Sequence, residues 1–335
     1  MKKFFILLIP LIFSACSHKK DISETLSNKY EVLVISNNFD RPAVNLEQNH
    51  LKDILILLHN KFPEGEIKRY FGLNDEKYNS AINDLYGEGL IKKNEKNIFI
   101  PACMVINAGE ETGLKKSADS LGREMSLIAI DRIDKIKSVY KNIPSLKNIP
   151  FENMSLLILG NAVYNFWQMP LINEKFLKSD PPHRGAGRYY LAAVENKKEI
   201  GTEPLELYFN KVLNTEKFTA VVYGNNLNVA DSILEMLNKS ELNADKNFIL
   251  LNPADQKKIS ELSAVMEPDI TAYLERNRTH FVKLYLNSSF KDEVSFREWF
   301  AWFYQFMVSQ TTRTLTEKNF IKKEMSRQAP FILIK

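Results

Sequence analysis

Apolar positions recur at helical spacing through the first third of the chain. In LKDILILLHNKF, Leu51, Ile54, Leu55 and Leu58 share one face, which predicts a helix over 51–62 that Pro63 and Gly65 end. A shorter helix, EIKRYF, reaches Gly72. Asn74 then caps a third, with Asp75 and Glu76 in its first turn and Tyr78, Ala81, Ile82 and Leu85 as its inner stripe. Gly87 and Gly89 end it. Leu90–Lys93 and Ile98–Ile100 flank the turn NEKN as a hairpin, and EVLVIS (31–36) ahead of the helices has strand character.

Beyond Asn107 the stripe Leu114, Ala118, Leu121, Met125 and Ile128 drifts to Ala129, Ile133, Ile136 and Tyr140, predicting one long helix over 110–140. Pro144 and Pro150 mark a loop. LLILGNAVYNFWQM (156–169) is apolar almost all round and therefore predicted to be buried; it is too short to span a bilayer. RYYLAAVE, LELYFN and FTAVVYG are rich in aromatic and β-branched residues and predict three antiparallel strands between 187 and 224. NVADSILEMLN predicts a helix and FILL a short strand. Asn252-Pro253 opens another helix, and a further one is expected over 268–286. Ser295 and Glu298 form a capping-box pattern before FREWFAWFYQFMV, whose aromatics on several faces predict the central core helix of its domain in preference to a sugar- or peptide-binding platform or a partner groove.

These elements give an α+β protein, mostly helical. The expected divisions are a domain over 31–107, a connecting helix over 108–143, and a helical domain over 144–335 carrying a small antiparallel sheet at about 187–224. Three helices followed by a hairpin, over about 51–101, resemble a winged helix. That resemblance implies a helix presented to a DNA groove.

Charge weakens this implication. From Glu64 to Asn97 the chain carries 7 acids against 6 bases, and the outward face of the third helix offers Asp75, Lys77, Asn79, Ser80, Asn83 and Asp84. Phosphate neutralisation supplies most nucleic-acid affinity, and this face has little to supply it. Lys77, Asn79, Asn83 and Asp84 are instead expected to form a protein-partner surface. The whole chain, net +4 from 45 basic and 41 acidic residues, gives no reason to expect polyanion binding through bulk charge.

The first residues change the picture most. Lys2 and Lys3 precede an apolar run, Phe4 to Phe13, broken only by Pro10; small Ser14 and Ala15 then precede Cys16. That is the order of a secretory signal peptide, about half the length of a membrane span. Phe13-Ser14-Ala15-Cys16 resembles the lipobox of bacterial lipoproteins, although Phe13 stands where Leu is commonest. The resemblance implies removal of 1–15, lipidation of Cys16 and a membrane anchor. Ser17, in place of Asp, favours the outer membrane over the inner one by the same resemblance. Residues 16–30, polar and poor in large hydrophobes, are expected to be a flexible tether. Cys103, the other cysteine, lies in IFIPACMVI and is expected to be a buried structural thiol.

Candidate chemistry is sparse. In SDPPHRGAGRYY (179–190), Gly185 and Gly187 let the backbone turn while His183, Arg184 and Arg188 could converge on a carboxylate or phosphate. The loop leads into a strand, without the helix N-terminus of a phosphate-cradling site. The other reading is a glycine-rich turn with its arginines solvated or paired to Asp180 and Glu195. His18, His50, His59, His183 and His280 have no partner at metal-ligand spacing, and no nucleophile elbow or zinc-helix motif occurs, so neither metal nor cofactor is expected. The leading expectation is a cell-envelope lipoprotein that binds a protein partner or small ligand without catalysis. The alternatives are an envelope hydrolase using His183 and a winged-helix DNA-binding regulator.

Overall fold

The computed structural model describes residues 21–196, 207–225, 249–325 and 328–335. Cys16 and the helix expected over NVADSILEMLN lie outside the described residues. The fold is α+β and mostly helical.

Part of the expected tether is folded. Ile22–Ser27 forms helix α1, which buries Ile22 and Thr25, and strand β1 runs from Lys29 to Ile35. The few apolar residues of this polar stretch are enough here, because Ile22 and Tyr30 enter a core and Leu26 packs against it. Helices α2 (Leu51–His59), α3 (Glu64–Phe71) and α4 (Asp75–Gly87) follow in the expected order. The hairpin of β2 (Ile91–Lys93) and β3 (Phe99–Pro101) comes next, then the short β4 (Met104–Ile106). Asn74 caps α4 by accepting the Lys77 N–H at 2.9 Å, and Gly72 ends α3 in the left-handed region at φ 65°.

The long helix expected over 110–140 is two. Ala108–Asp131 (α5) and Ile133–Tyr140 (α6) meet at Arg132, which leaves helical geometry (φ −104°, ψ 8°) and binds Asp269 at 2.8 Å. Nor is it a bare connector, since α5 lies along the helix Phe296–Glu317 (below, α11). Gly122 permits that approach: a Cβ there would sit 2.6 Å from the Met307 carbonyl, and Thr311 donates to the Gly122 carbonyl at 2.9 Å. Next, α7 (Phe151–Ser155) passes into wide π-helical turns over Leu156–Ala162, buried throughout as expected. Helix α8 (Met169–Ile172) precedes a two-residue ladder of β5 (His183–Arg184) with β6 (Gly187–Arg188).

The expected three-stranded sheet is also corrected. β7 (Tyr190–Asn196) does not join the next two strands; it lies between β1, antiparallel, and β4, parallel. The second strand lies further along than LELYFN, as β8 (Phe209–Asn214), and pairs with β9 (Phe218–Gly224). Their sheet is completed by β11 (Gln328–Ile334), unrecognised in the sequence, and by β10 (Ile249–Leu251), in the order β10-β11-β9-β8.

The remaining helices are α9 (Pro253–Arg276), α10 (Arg278–Leu286) and α11 (Phe296–Glu317). The break expected at Pro268 falls instead at Asn277, whose side chain donates to the Tyr273 carbonyl at 3.1 Å. Trp299, Phe300, Trp302, Phe303 and Tyr304 are all buried, so α11 is the core helix its aromatics predicted.

The β1-β7-β4 sheet is buried on both faces and divides two cores. Tyr189, Leu191 and Ala193 join Cys103, Val105 and helices α2 to α4 on one side. Tyr190, Ala192 and Val194 join Met104, Ile106 and the helical body on the other. The period-two alternation of side chains makes one strand serve both.

Candidate functional site

A cleft of about 320 Å³ lies between β1 and β8. Each is an edge strand of its sheet among the described residues. Every residue from Glu31 to Ile35 and from Phe209 to Leu213 contributes to the walls. A sheet face would contribute alternate residues only, so the cleft is walled by strand edges, where main-chain groups are exposed. Asn165, Phe166 and Met169 form its floor.

The direction of the β8 main chain can be fixed. Thr215 donates its N–H to the Phe218 carbonyl at 2.9 Å, which sets the hydrogen-bonded pairs of the hairpin. Leu213, Lys211 and Phe209 then bond to β9, and Asn214, Val212 and Asn210 turn their N–H and C=O groups outward. Consistent with this, the Val212 carbonyl accepts a hydrogen bond from the Arg41 guanidinium.

Arg41 belongs to a loop, Ser36–Pro42, that lies over the cleft. Ser36 Oγ accepts the N–H groups of Asn38 at 3.2 Å and Asp40 at 3.0 Å, and the Asp40 carboxylate accepts the Arg188 N–H at 2.9 Å. Between these fastenings Phe39 sits at φ 62°, a conformation rare for a bulky side chain, and stacks on Phe166 with ring centroids 5.9 Å apart. Such backbone strain, worth about 1–3 kcal/mol, persists where surroundings over-determine it and clusters at ligand clamps. An amide chain runs inward from the cleft: Asn210 donates to Asn165 at 3.1 Å, and Asn165 to Gln305 at 2.9 Å.

The residues nominated from sequence fall elsewhere. His183, Arg184 and Arg188 do not converge. Alternation along β5 leaves His183 exposed and turns Arg184 inward. Arg184 donates to the carbonyls of Gly89 and Ala102 and to the Glu298 carboxylate at 2.6 Å, so its charge is spent inside the protein. Gly185, at φ 45°, has the Glu88 carboxylate where a Cβ would lie, and Glu88 also accepts the Tyr189 hydroxyl. Arg188 is exposed and lies 3.8 Å from Asp180, the pairing foreseen in the turn reading; Glu195 instead accepts the Ala108 N–H at 2.8 Å. Lys77, Asn79 and Asn83 are exposed on α4 and Asp84 is half-buried. Beside them Tyr86 and Ile98 are exposed, and Tyr86 meets Phe99 edge-on at 6.1 Å. Cys103 is fully buried and burial pushes its thiol well above the ordinary range, so it is no nucleophile.

One cluster escaped the sequence reading. His59, at the end of α2, is buried between Glu293, 2.8 Å from Nδ1, and Glu110, 3.1 Å from Nε2. Burial opposes a charge on the ring, but hydrogen bonds to both carboxylates outweigh it and raise His59 to about 9. With both nitrogens engaged it clamps α2, α5 and the segment before α11 together. Its partners lie 51 and 234 positions away, a distance at which no local spacing signals them. Among the described residues no group of His, Cys, Asp and Glu is arranged to hold a metal ion, and no helix is long and apolar enough to cross a membrane. No protein-family model matches the chain, and no curated protein or solved structure matches it either.

Proposed function

We propose that the protein is a cell-envelope lipoprotein, anchored through Cys16 and favouring the outer membrane, that binds a ligand in the cleft between β1 and β8 without transforming it. The address rests on MKKFFILLIPLIFSACS, which orders a basic start, an apolar run, small residues and a cysteine as an export and lipidation signal does. Binding rests on one observation: a cleft of about 320 Å³, within the range of ligand sites, lies under a strained aromatic held over a half-buried aromatic floor. The anchor brings that cleft to the membrane surface without occupying it.

Two measurements separate the parts. Cells fed a clickable fatty acid should label the wild type but not Cys16→Ala, and the variant should leave the membrane fraction. Equal labelling would exclude the anchor. For the cleft, an anilinonaphthalene sulfonate dye should bind the wild type and lose most of its signal with Phe39→Ala, which removes the ring and leaves both strands. An unchanged signal would place the dye elsewhere and overturn binding in this cleft.

A further inference from the structure

We infer that the cleft takes an extended peptide segment, added as a strand to the edge of β8 that is unpaired among the described residues, opposite β1, with apolar side chains at alternate positions. This rests on the cleft-binding reading above and names its ligand class. The walls carry the inference. On β8, Asn210, Val212 and Asn214 turn paired N–H and C=O groups outward, one pair about every 7 Å, which is the two-residue repeat of a strand. Another main chain matches that repeat, and strand addition is an established mode of peptide recognition. The opposite wall, β1, is a second unpaired edge among the described residues, so an inserted strand has an edge on either side.

The side-chain requirement follows from alternation. A strand added to β8 points every second residue toward one face, and Phe166 and Met169 form an apolar patch on the floor, with Phe39 above it. The charges around the cleft, Glu31 and Asp40 against Arg41 and Lys211, balance. The segment that fits is therefore uncharged and apolar at alternate positions.

Arg41 has a defined part. Exposed edges invite unwanted pairing, and proteins cover them. Here the Arg41 guanidinium occupies the Val212 carbonyl, the group an incoming strand would use. It is a cover that the peptide displaces, so removing it should strengthen binding.

The test uses a displayed library of random heptapeptides against the detergent-solubilised full chain, followed by hydrogen exchange with the best synthetic binder. Selected sequences should carry apolar residues at alternate positions, and the binder should protect amides of Asn210, Val212 and Asn214. Methylating alternate peptide nitrogens should weaken binding by about tenfold per lost hydrogen bond. Arg41→Ala should tighten it. Val212→Pro should abolish it without unfolding the protein, because that N–H faces out and gives nothing to β9. Overturning results are failure to select any peptide, binding indifferent to methylation, or protection confined to other strands. Concentration-dependent dimerisation that protects the same amides without peptide would assign the edge to a second copy and also overturn the proposal. If peptides fail while the dye still requires Phe39, the cleft reading stands and only the peptide assignment falls.

Discussion

Arg184 and Glu298 are almost wholly buried and 2.6 Å apart, 114 positions separated in sequence. Removing one partner of such a pair strands the other's charge. Arg184→Met should therefore destabilise the fold by about 3–5 kcal/mol, and adding Glu298→Leu should recover much of that loss in denaturant titrations. Burial pushes Glu298 up to about 7 against the pull of Arg184. A raised carboxyl favours the folded state below its unfolded value of 4.5 and loses that advantage as pH rises through 7. His59 acts in the next window. Raised from 6.5 to about 9, it contributes stability fully below pH 6.5 and loses it as pH rises through 9. The linked loss is about 3 kcal/mol, so the denaturation midpoint should fall between pH 7 and 9, and His59→Gln should flatten that fall. Neither cluster was legible in the sequence. The spacing around Arg184 suggested an anion site because its partner is distant. Glu298 carried a real capping signal: Ser295 accepts its N–H at 3.3 Å, while its carboxylate turns to Arg184.

Within elements, α5 offers a paired test of close packing. Gly122 faces α11, where a methyl group would overlap the Met307 carbonyl and Gln310, so Gly122→Ala should cost about 1–3 kcal/mol. Gly113, in the same helix, has nothing within 4 Å, and Gly113→Ala should add about 0.5–1 kcal/mol through helix propensity alone. Thermal unfolding of both variants checks the sign of each. A helix with one apolar face, such as α4, was legible because its stripe needs no knowledge of what it touches. β7 was legible as a strand but misplaced in its sheet. Its run YYLAAV is apolar at successive positions, the mark of a strand buried on both faces, yet nearness in sequence grouped it with β8 and β9. α5 and α6 read as one helix because the hydrophobic stripe drifts smoothly through Arg132; the break there, beside the Asp269 contact, leaves no mark in that pattern.

For the whole molecule, the boundary expected after residue 107 is not a seam. The core beneath α2 to α4 is closed by Tyr189, just before β7, and by Leu191 and Ala193 on it, all far along the chain. The next residues of the same strand enter the helical body. His59 and Arg184 add polar ties across the same junction. The expected three helices and hairpin are present, but their core depends on a strand that no excised 31–107 segment would carry. The two sides should therefore unfold together. The protein's three tryptophans, Trp167, Trp299 and Trp302, all lie on the body side, so their emission reports that side alone. Leu55→Ala opens a cavity in the other core, where Leu55 is fully buried, and should cost about 2–5 kcal/mol. If the sheet couples the cores, the tryptophan midpoint in denaturant shifts by that full amount. An unshifted midpoint would mean that each core folds on its own and that β7 is a shared boundary without shared stability.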